Sequence, residues 1–286
     1  MPNRLQRRNV GKDGHWYLLD GQYAPGVTTV LGIGLGLKFD IPSGWAARVC
    51  ADWVIARRHL LADDTWTDTD LHSMIRSAPR NITHDAQVRG TTVHKYGEML
   101  HTNGEVELAD EHAHLAPYVE QYAAFLDRWE IDPIASEIPL AITSQRVAGT
   151  ADLVARSTPA VELINQWLTT TGQDPIPDNA PGVLDIKTGG AIRDKDKLQI
   201  VAYGTADLCQ IDGTEQPMPA TYWHGLIHVQ PEYAELHLIR PSYVAQLSDL
   251  FTTACQQWQA LDEKRGWISH ATDNVDRPLL VTEDAA

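Results

Sequence analysis

Residues 147–156 read Val-Ala-Gly-Thr-Ala-Asp-Leu-Val-Ala-Arg, and residues 182–189 read Gly-Val-Leu-Asp-Ile-Lys-Thr-Gly. Both are short apolar runs rich in β-branched residues and bounded by turn formers, so both read as strands. Alternation along a strand puts Asp185 and Lys187 on one face and Ile186 on the other. If the first run pairs beside the second, Asp152 joins them at the same edge. Two carboxylates and an ammonium group are costly to hold together without a further positive charge. A divalent cation supplies that charge, and hard oxygen donors suit Mg²⁺ or Mn²⁺. Lys187 would then face the attacking water or a substrate phosphate, an arrangement for hydrolysing a phosphodiester. A lone Asp-x-Lys triplet arises by chance in many chains, but this one follows a strand bearing an Asp. It also precedes a helical stretch in which Gln199 and Tyr203 lie four residues apart on one face.

Around this centre the sequence predicts an α/β chain of the α+β kind, with a central mixed β-sheet flanked by helices. Residues 15–32 read as a hairpin and turn, with Val-Thr-Thr-Val-Leu-Gly as its last segment. A helix is expected from Ser43, where Trp45, Val49, Trp53 and Ile55 recur, then over Asp70–Ser77, His84–His101 and Pro117–Trp129, joined by polar segments. After Asp132-Pro133 the period changes to that of strands. Residues 136–143 and 146–156 form a hairpin about Ser144-Gln145, and residues 182–189 follow an insertion at 157–181. Within that insertion Val161–Leu168 fits a strand or a helical turn. Residues 198–210 are helical in pattern, 220–230 and 233–241 alternate as a hairpin, and 241–261 form a long amphipathic helix ending before Gly266. Three regions result: 1–130, mainly helical; 131–269, the core; and 270–286, an acidic tail expected to fray.

Composition limits the function classes. Lys and Arg total 23 against 38 Asp and Glu, a formal net charge of −15, which argues against a domain whose whole surface attracts nucleic acid. Residues 1–60 nevertheless hold eight basic and four acidic residues, a net of +4 that leaves −19 for the remainder, so a polyanion is expected to approach the N-terminal third. Cys50, Cys209 and Cys255 form no CxxC pair, which predicts reduced thiols. No signal-peptide core and no apolar run of membrane-spanning length occur, so a soluble, cytoplasmic protein without a membrane partner is expected. GxGxxG, Walker A and GxSxG patterns are all missing. His101, His112, His114, His224, His228 and His237 lack HExxH or finger spacing and read as surface or core histidines.

The motifs together resemble the PD-(D/E)XK nuclease superfamily, specifically the RecB-like branch that includes phage-type exonucleases and the nuclease domains of recombination helicases. Arg-Gly-Thr-Thr-Val-His-Lys-Tyr-Gly-Glu at 89–98 matches the helical segment that supplies a His. Gly149-Thr150-Ala151-Asp152 matches the first acidic strand, Asp185-Ile186-Lys187 the D/E-x-K strand, and Gln199 with Tyr203 the Q-x-x-x-Y helix. Val27–Gly32 and the stretch from Lys38 to Trp45 also look like the opening of phage members. The resemblance implies a restriction-endonuclease-like core with a helical N-terminal region, and a Mg²⁺- or Mn²⁺-dependent DNA exonuclease of phage or bacterial recombination or repair. It implies Asp152, Asp185, His94 and the Ile186 carbonyl as metal ligands, and Lys187 as the residue that positions or activates water. Gln199 and Tyr203 would line the site and hold the nucleic-acid backbone. Glu137 resembles an auxiliary acidic position, and Glu98, one turn beyond His94, could orient its imidazole. Lys38, Arg89, Lys95, Arg193, Lys195 and Lys197 are expected DNA contacts. The expected partner is linear DNA, single- or double-stranded; a recombination annealing protein and self-association remain open. Several relatives hold an Fe–S cluster on four cysteines; three scattered cysteines cannot build one, so no cluster is expected. The alternatives are an inactive DNA-end-binding accessory protein and an endonuclease on the same scaffold.

Overall fold

The computed structural model describes residues 3–10, 14–36, 43–62 and 65–269. The chain opens with three strands, β1 (Leu5–Val10), β2 (Gly14–Leu19) and β3 (Gln22–Ala24), which pair antiparallel in that order. Helices α1 (Val27–Gly34), α2 (Ser43–Ala56), α3 (Asp68–Asn103) and α4 (Ala116–Arg128) follow. The second half contains β4 (Asp132–Ile142), β5 (Val147–Arg156), α5 (Thr158–Thr170), β6 (Gly182–Lys187), α6 (Asp194–Gly204), β7 (Leu208–Ile211), β8 (Thr214–Pro217), β9 (Trp223–Val229), β10 (Ala234–Leu238) and α7 (Pro241–Ser269). A seven-stranded mixed sheet runs in the order β10-β9-β6-β5-β4-β7-β8. Its β6–β9 pair is parallel and the others are antiparallel.

Helices cover both faces of this sheet. On one face Val30 and Leu31 of α1, Ile200 and Val201 of α6, and Phe251, Ala254 and Cys255 of α7 pack on Leu140, Val183 and Leu226. On the other, Tyr96 and Leu100 of α3, Tyr122 and Phe125 of α4, and Ile164 of α5 pack on Leu153, Leu184, Ile186 and Ile227. The even-numbered Leu184 and Ile186 thus face one core while Val183 faces the other, as strand alternation requires. Each fully buried Leu, Ile or Phe contributes about 1.5–3 kcal/mol, so the two cores hold the sheet rigidly behind the site. The N-terminal sheet docks by a third cluster, in which Leu5, Tyr17, Leu19 and Ala24 meet Ala141, Ala148 and Leu208. The Ala148 N–H donates to the Pro25 carbonyl at 3.0 Å beside it.

The α+β class and the helix-flanked mixed sheet follow the sequence reading, as do the β4–β5 and β9–β10 hairpins. Several local expectations do not. Val27–Gly32 is helical rather than a hairpin strand, because its apolar residues enter the core; at Gly34 an added Cβ would lie 2.3 Å from the Ala254 carbonyl oxygen. The basic segment Leu5–Val10 supplies a strand, so the N-terminal region carries a sheet as well as helices. The two helices expected at 70–77 and 84–101 are one 36-residue helix that runs through Pro79. It starts at a reciprocal capping box between Thr67 and Asp70 and stops at Gly104, whose φ is 76°. The stretch 198–210 divides: α6 ends at Gly204 and Leu208 opens a β7–β8 hairpin turned by Asp212 and Gly213, both at positive φ. Val161–Leu168 lies in helix α5, capped by Ser157, and α7 continues past Gly266 to Ser269. Lys38 and the acidic 270–286 segment lie outside the described residues. No helix among the described residues is long and apolar enough to cross a membrane.

Candidate active site

The site forms where two neighbouring strands part. The β5–β6 ladder pairs Ala155 with Gly182, Val154 with Val183 and Leu153 with Leu184, and stops there, while β6 stays paired to β9 as far as Lys187. Beyond the last rung the Ile186 N–H finds its acceptor in a side chain, the Asp152 carboxylate, with N to Oδ2 at 2.6 Å. The Ile186 carbonyl accepts from His94 Nε2 of α3 at 2.8 Å. A carbonyl cannot donate, so Nε2 carries the hydrogen and Nδ1 is turned towards Asp152 Oδ1, 3.4 Å away. One peptide unit of β6 therefore ties α3, β5 and β6 together.

Asp185 and Lys187 share the opposite face of β6. Gln199 Nε2 donates to Asp185 Oδ1 at 3.2 Å and to the Tyr203 hydroxyl at 2.8 Å, and Lys187 Nζ donates to Gln199 Oε1 at 3.3 Å. Asp185 Oδ2 is held in a close ion pair by Lys187 Nζ, which compensates its charge inside the protein. The two aspartates are inequivalent. Burial pushes the Asp185 carboxyl up to about 6, with Asp152 adding to the rise and Lys187 opposing it. Burial also works against Asp152, but His94 and then Lys187 outweigh it and hold that carboxyl below the ordinary value. His94 is raised to about 9: burial opposes its charge, and Asp152 followed by Asp185 override the burial. Lys187 is likewise raised against its burial, by Asp185 and then Asp152, and stays an ammonium ion.

Glu137 completes the group. His94, Glu137 and Asp152 each place a donor atom within 4.8 Å of the others. Glu137 sits in β4 between the rungs Ser136–Leu153 and Ile138–Ala151, opposite Asp152, with φ at 49°. A left-handed Glu inside a strand is strained, and strain of this kind collects at functional sites. Burial, then Asp152, raise its carboxyl to about 7. Asp185 is not one of this trio; its oxygens face Gln199 and Lys187. The donors fit a hard divalent cation: two carboxylates and one imidazole converge on one point.

These residues line the floor of a cleft of about 690 Å³. Its far wall is the N-terminal sheet, where Arg7, Asn9, His15 and Tyr17 share one face by register; the exposed Trp16 and Tyr23 also line it. No motif marks that wall in the sequence; the +4 charge of residues 1–60 is the one signal for the region. The Tyr17 hydroxyl bonds Thr150 Oγ1 at 2.8 Å, which fixes the wall against the strand that carries Asp152.

Other predicted residues fall in different places. Gln199 and Tyr203 line the cleft but spend their polar atoms on Asp185, Lys187 and each other, so they position the site rather than grip a backbone. Glu98 also lines the cleft, but both nitrogens of His94 face Ile186 and Asp152, so Glu98 does not orient that ring. Lys95 is exposed in the cleft. Arg89 instead packs α3 on the loop after β6, donating to the Thr188 carbonyl at 3.4 Å and lying over the Tyr118 ring. Lys197 pairs with Asp194 at 3.0 Å, Arg193 stands at the N-cap of α6, and Lys195 is half-buried on its first turn. None of these three lines the cleft. Compared with protein-family models and with curated proteins, the sequence matches none.

Proposed function

We propose that the chain is a divalent-metal-dependent deoxyribonuclease acting at DNA ends, similar to the RecB-like exonucleases of the PD-(D/E)XK superfamily. The observation that carries this reading is the convergence of Asp152, Asp185 and Lys187 with His94 and the Ile186 carbonyl at one strand fork, on the floor of a cleft with an aromatic wall. Asp152, His94 and Glu137 would hold Mg²⁺ or Mn²⁺, with Asp185 beside them. Such an ion supplies positive charge to a scissile phosphate and makes a water molecule acidic.

The chain's own groups do the rest. Lys187 keeps its proton between two carboxylates and presents a fixed positive charge where negative charge develops on phosphate oxygens. Gln199 holds Lys187 and Asp185 in register through one amide, so neither must reorient during reaction. Lys95 offers a cation to the flanking phosphates, joined by Arg7, whose guanidinium lies 3.8 Å from Glu137, and the rings on the sheet wall offer faces for bases. The negative remainder of the molecule confines DNA to this cleft and makes binding dependent on salt.

End-labelled linear DNA and covalently closed circular DNA, each with Mg²⁺, Mn²⁺ or EDTA, test the reading. Linear DNA is shortened from its ends only with metal, and Asp185→Ala and Lys187→Ala abolish cleavage while the protein stays folded. Full activity in either variant refutes the assignment. Cleavage of circles makes the protein an endonuclease, and end binding without cleavage makes it an accessory factor.

A further inference from the structure

A second set of metal-binding side chains lies on the β9–β10 hairpin. His228 faces Glu235 directly across the antiparallel pair, and His237 lies two residues along on the same face. One donor atom from each falls within 4.8 Å of the other two. These three residues share no ligand with the strand fork, and their grouping does not depend on the nuclease reading.

The tautomer of His228 points to a cation. Its side chain is 5% exposed, and Nε2 lies 2.7 Å from the Gly189 carbonyl oxygen. That oxygen can only accept, so Nε2 carries the hydrogen and Nδ1 is turned into the cluster. There it lies 3.7 Å from Glu235 Oε1, beyond hydrogen-bond reach. A buried imidazole is thus held in one orientation by a backbone carbonyl, its other nitrogen aimed at a carboxylate without bonding to it. Metal-binding histidines are held in this way, the outer N–H donated to a carbonyl and the inner nitrogen to the ion. His237 Nε2 donates to the same Glu235 oxygen at 3.0 Å, and by releasing that proton when an ion binds it would supply the third donor.

We infer that His228, Glu235 and His237 form a transition-metal site of the Zn²⁺ class. Two imidazoles and one carboxylate are a zinc-type donor set, with a fourth position left for water, and are poorly suited to Mg²⁺. Gly189 lies two residues after Lys187, and Gln230 Nε2 donates to the Thr188 and Gly189 carbonyls at 3.3 and 2.8 Å. An ion on the hairpin would anchor the strand that holds this loop, and through it the end of β6.

The test uses full-length protein carrying Asp152→Asn and Asp185→Asn, which weakens the first site, titrated with Co²⁺. One equivalent binds with the intense visible absorption of a four-coordinate ion, Zn²⁺ displaces it, and Mg²⁺ does not. Adding the exposed-residue substitutions Glu235→Gln or His237→Ala weakens Co²⁺ binding by at least about tenfold, while circular dichroism shows the fold unchanged. Failure to bind Co²⁺, the weak absorption of a six-coordinate ion, or unaltered affinity in both hairpin variants overturns the inference. The DNA-cleavage assay is untouched by any of these outcomes, so the two readings fail separately.

Discussion

Gly149 offers a sharp test of how the site is held. It has no side chain, yet it sits on β5 against the ring of Tyr203: an added Cβ would lie 2.6 Å from Cε1, 3.3 Å from Cζ and 3.4 Å from Cδ1. Ordinary carbon contacts begin near 3.5 Å, so Gly149→Ala must drive the ring away by roughly 1 Å. Overpacking of this kind costs about 1–3 kcal/mol, and Ala in place of Gly within a strand returns about 0.5–1 kcal/mol, leaving a net loss of up to about 2.5 kcal/mol. For a chain of this size that lowers Tm by up to roughly 10 °C. The larger effect falls on function. The displaced Tyr203 hydroxyl releases Gln199, whose amide holds Asp185 and Lys187, and a misplacement near 1 Å can cost about 100-fold in rate. The assay is a double-mutant cycle of Gly149→Ala with Tyr203→Leu, read by denaturant unfolding and by cleavage of end-labelled linear DNA. Removing the ring removes the clash, so the double variant is no less stable than Tyr203→Leu alone, and the coupling energy equals the overpacking cost. Strictly additive losses would refute the steric argument.

Further consequences can be measured. Gly34→Ala meets main-chain atoms of Ala254 that no side-chain rotation can move, so it costs about 3 kcal/mol or more and separates α1 from α7, visible as a lowered urea midpoint. Burial pushes both His101 and His224 down to about 4. Between their ordinary value near 6.5 and 4 the unfolded chain binds protons that the folded chain does not. Their contribution is therefore complete above about pH 6.5 and is lost as pH falls towards 4, and His224→Gln should reduce the slope of stability against pH in that window by about 1.4 kcal/mol per unit. In metal-free protein the His94 imidazole should titrate near 9, and in Asp152→Asn its midpoint should fall, followed by NMR; an unmoved midpoint means Asp152 does not hold that proton.

The legible parts of this protein are those governed by local periodicity. Asp185 and Lys187 on one face, Ile186 on the other, and Asp152 on the neighbouring strand follow from a two-residue repeat and one pairing, and the structure has them so. Val27–Gly32 is ambiguous in sequence because a short run rich in β-branched residues fits a strand as well as a buried helix, and packing on α7 decides. The continuity of α3 through Pro79 was hidden because a proline ordinarily marks a boundary. The cleft wall of Arg7, Asn9, His15 and Tyr17 carries no motif: its residues become a surface only when β1–β3 fold and dock, and charge was its one outward sign. Internal bonding of Gln199 and Tyr203 could not be read from i, i+4 spacing, which gives a shared face but not a partner.

The peptide unit at Ile186 also dictates when the site can come into being. Its N–H is bound by a residue 34 positions away and its carbonyl by one 92 positions away. Neither bond can form until large loops have closed and the chain entropy of closure has been overcome. No fragment lacking α3, β5 or β6 can assemble the fork, and a partly folded chain with native helices would still be inert. During refolding, the return of activity should therefore follow the return of helical circular dichroism and coincide with the last cooperative phase.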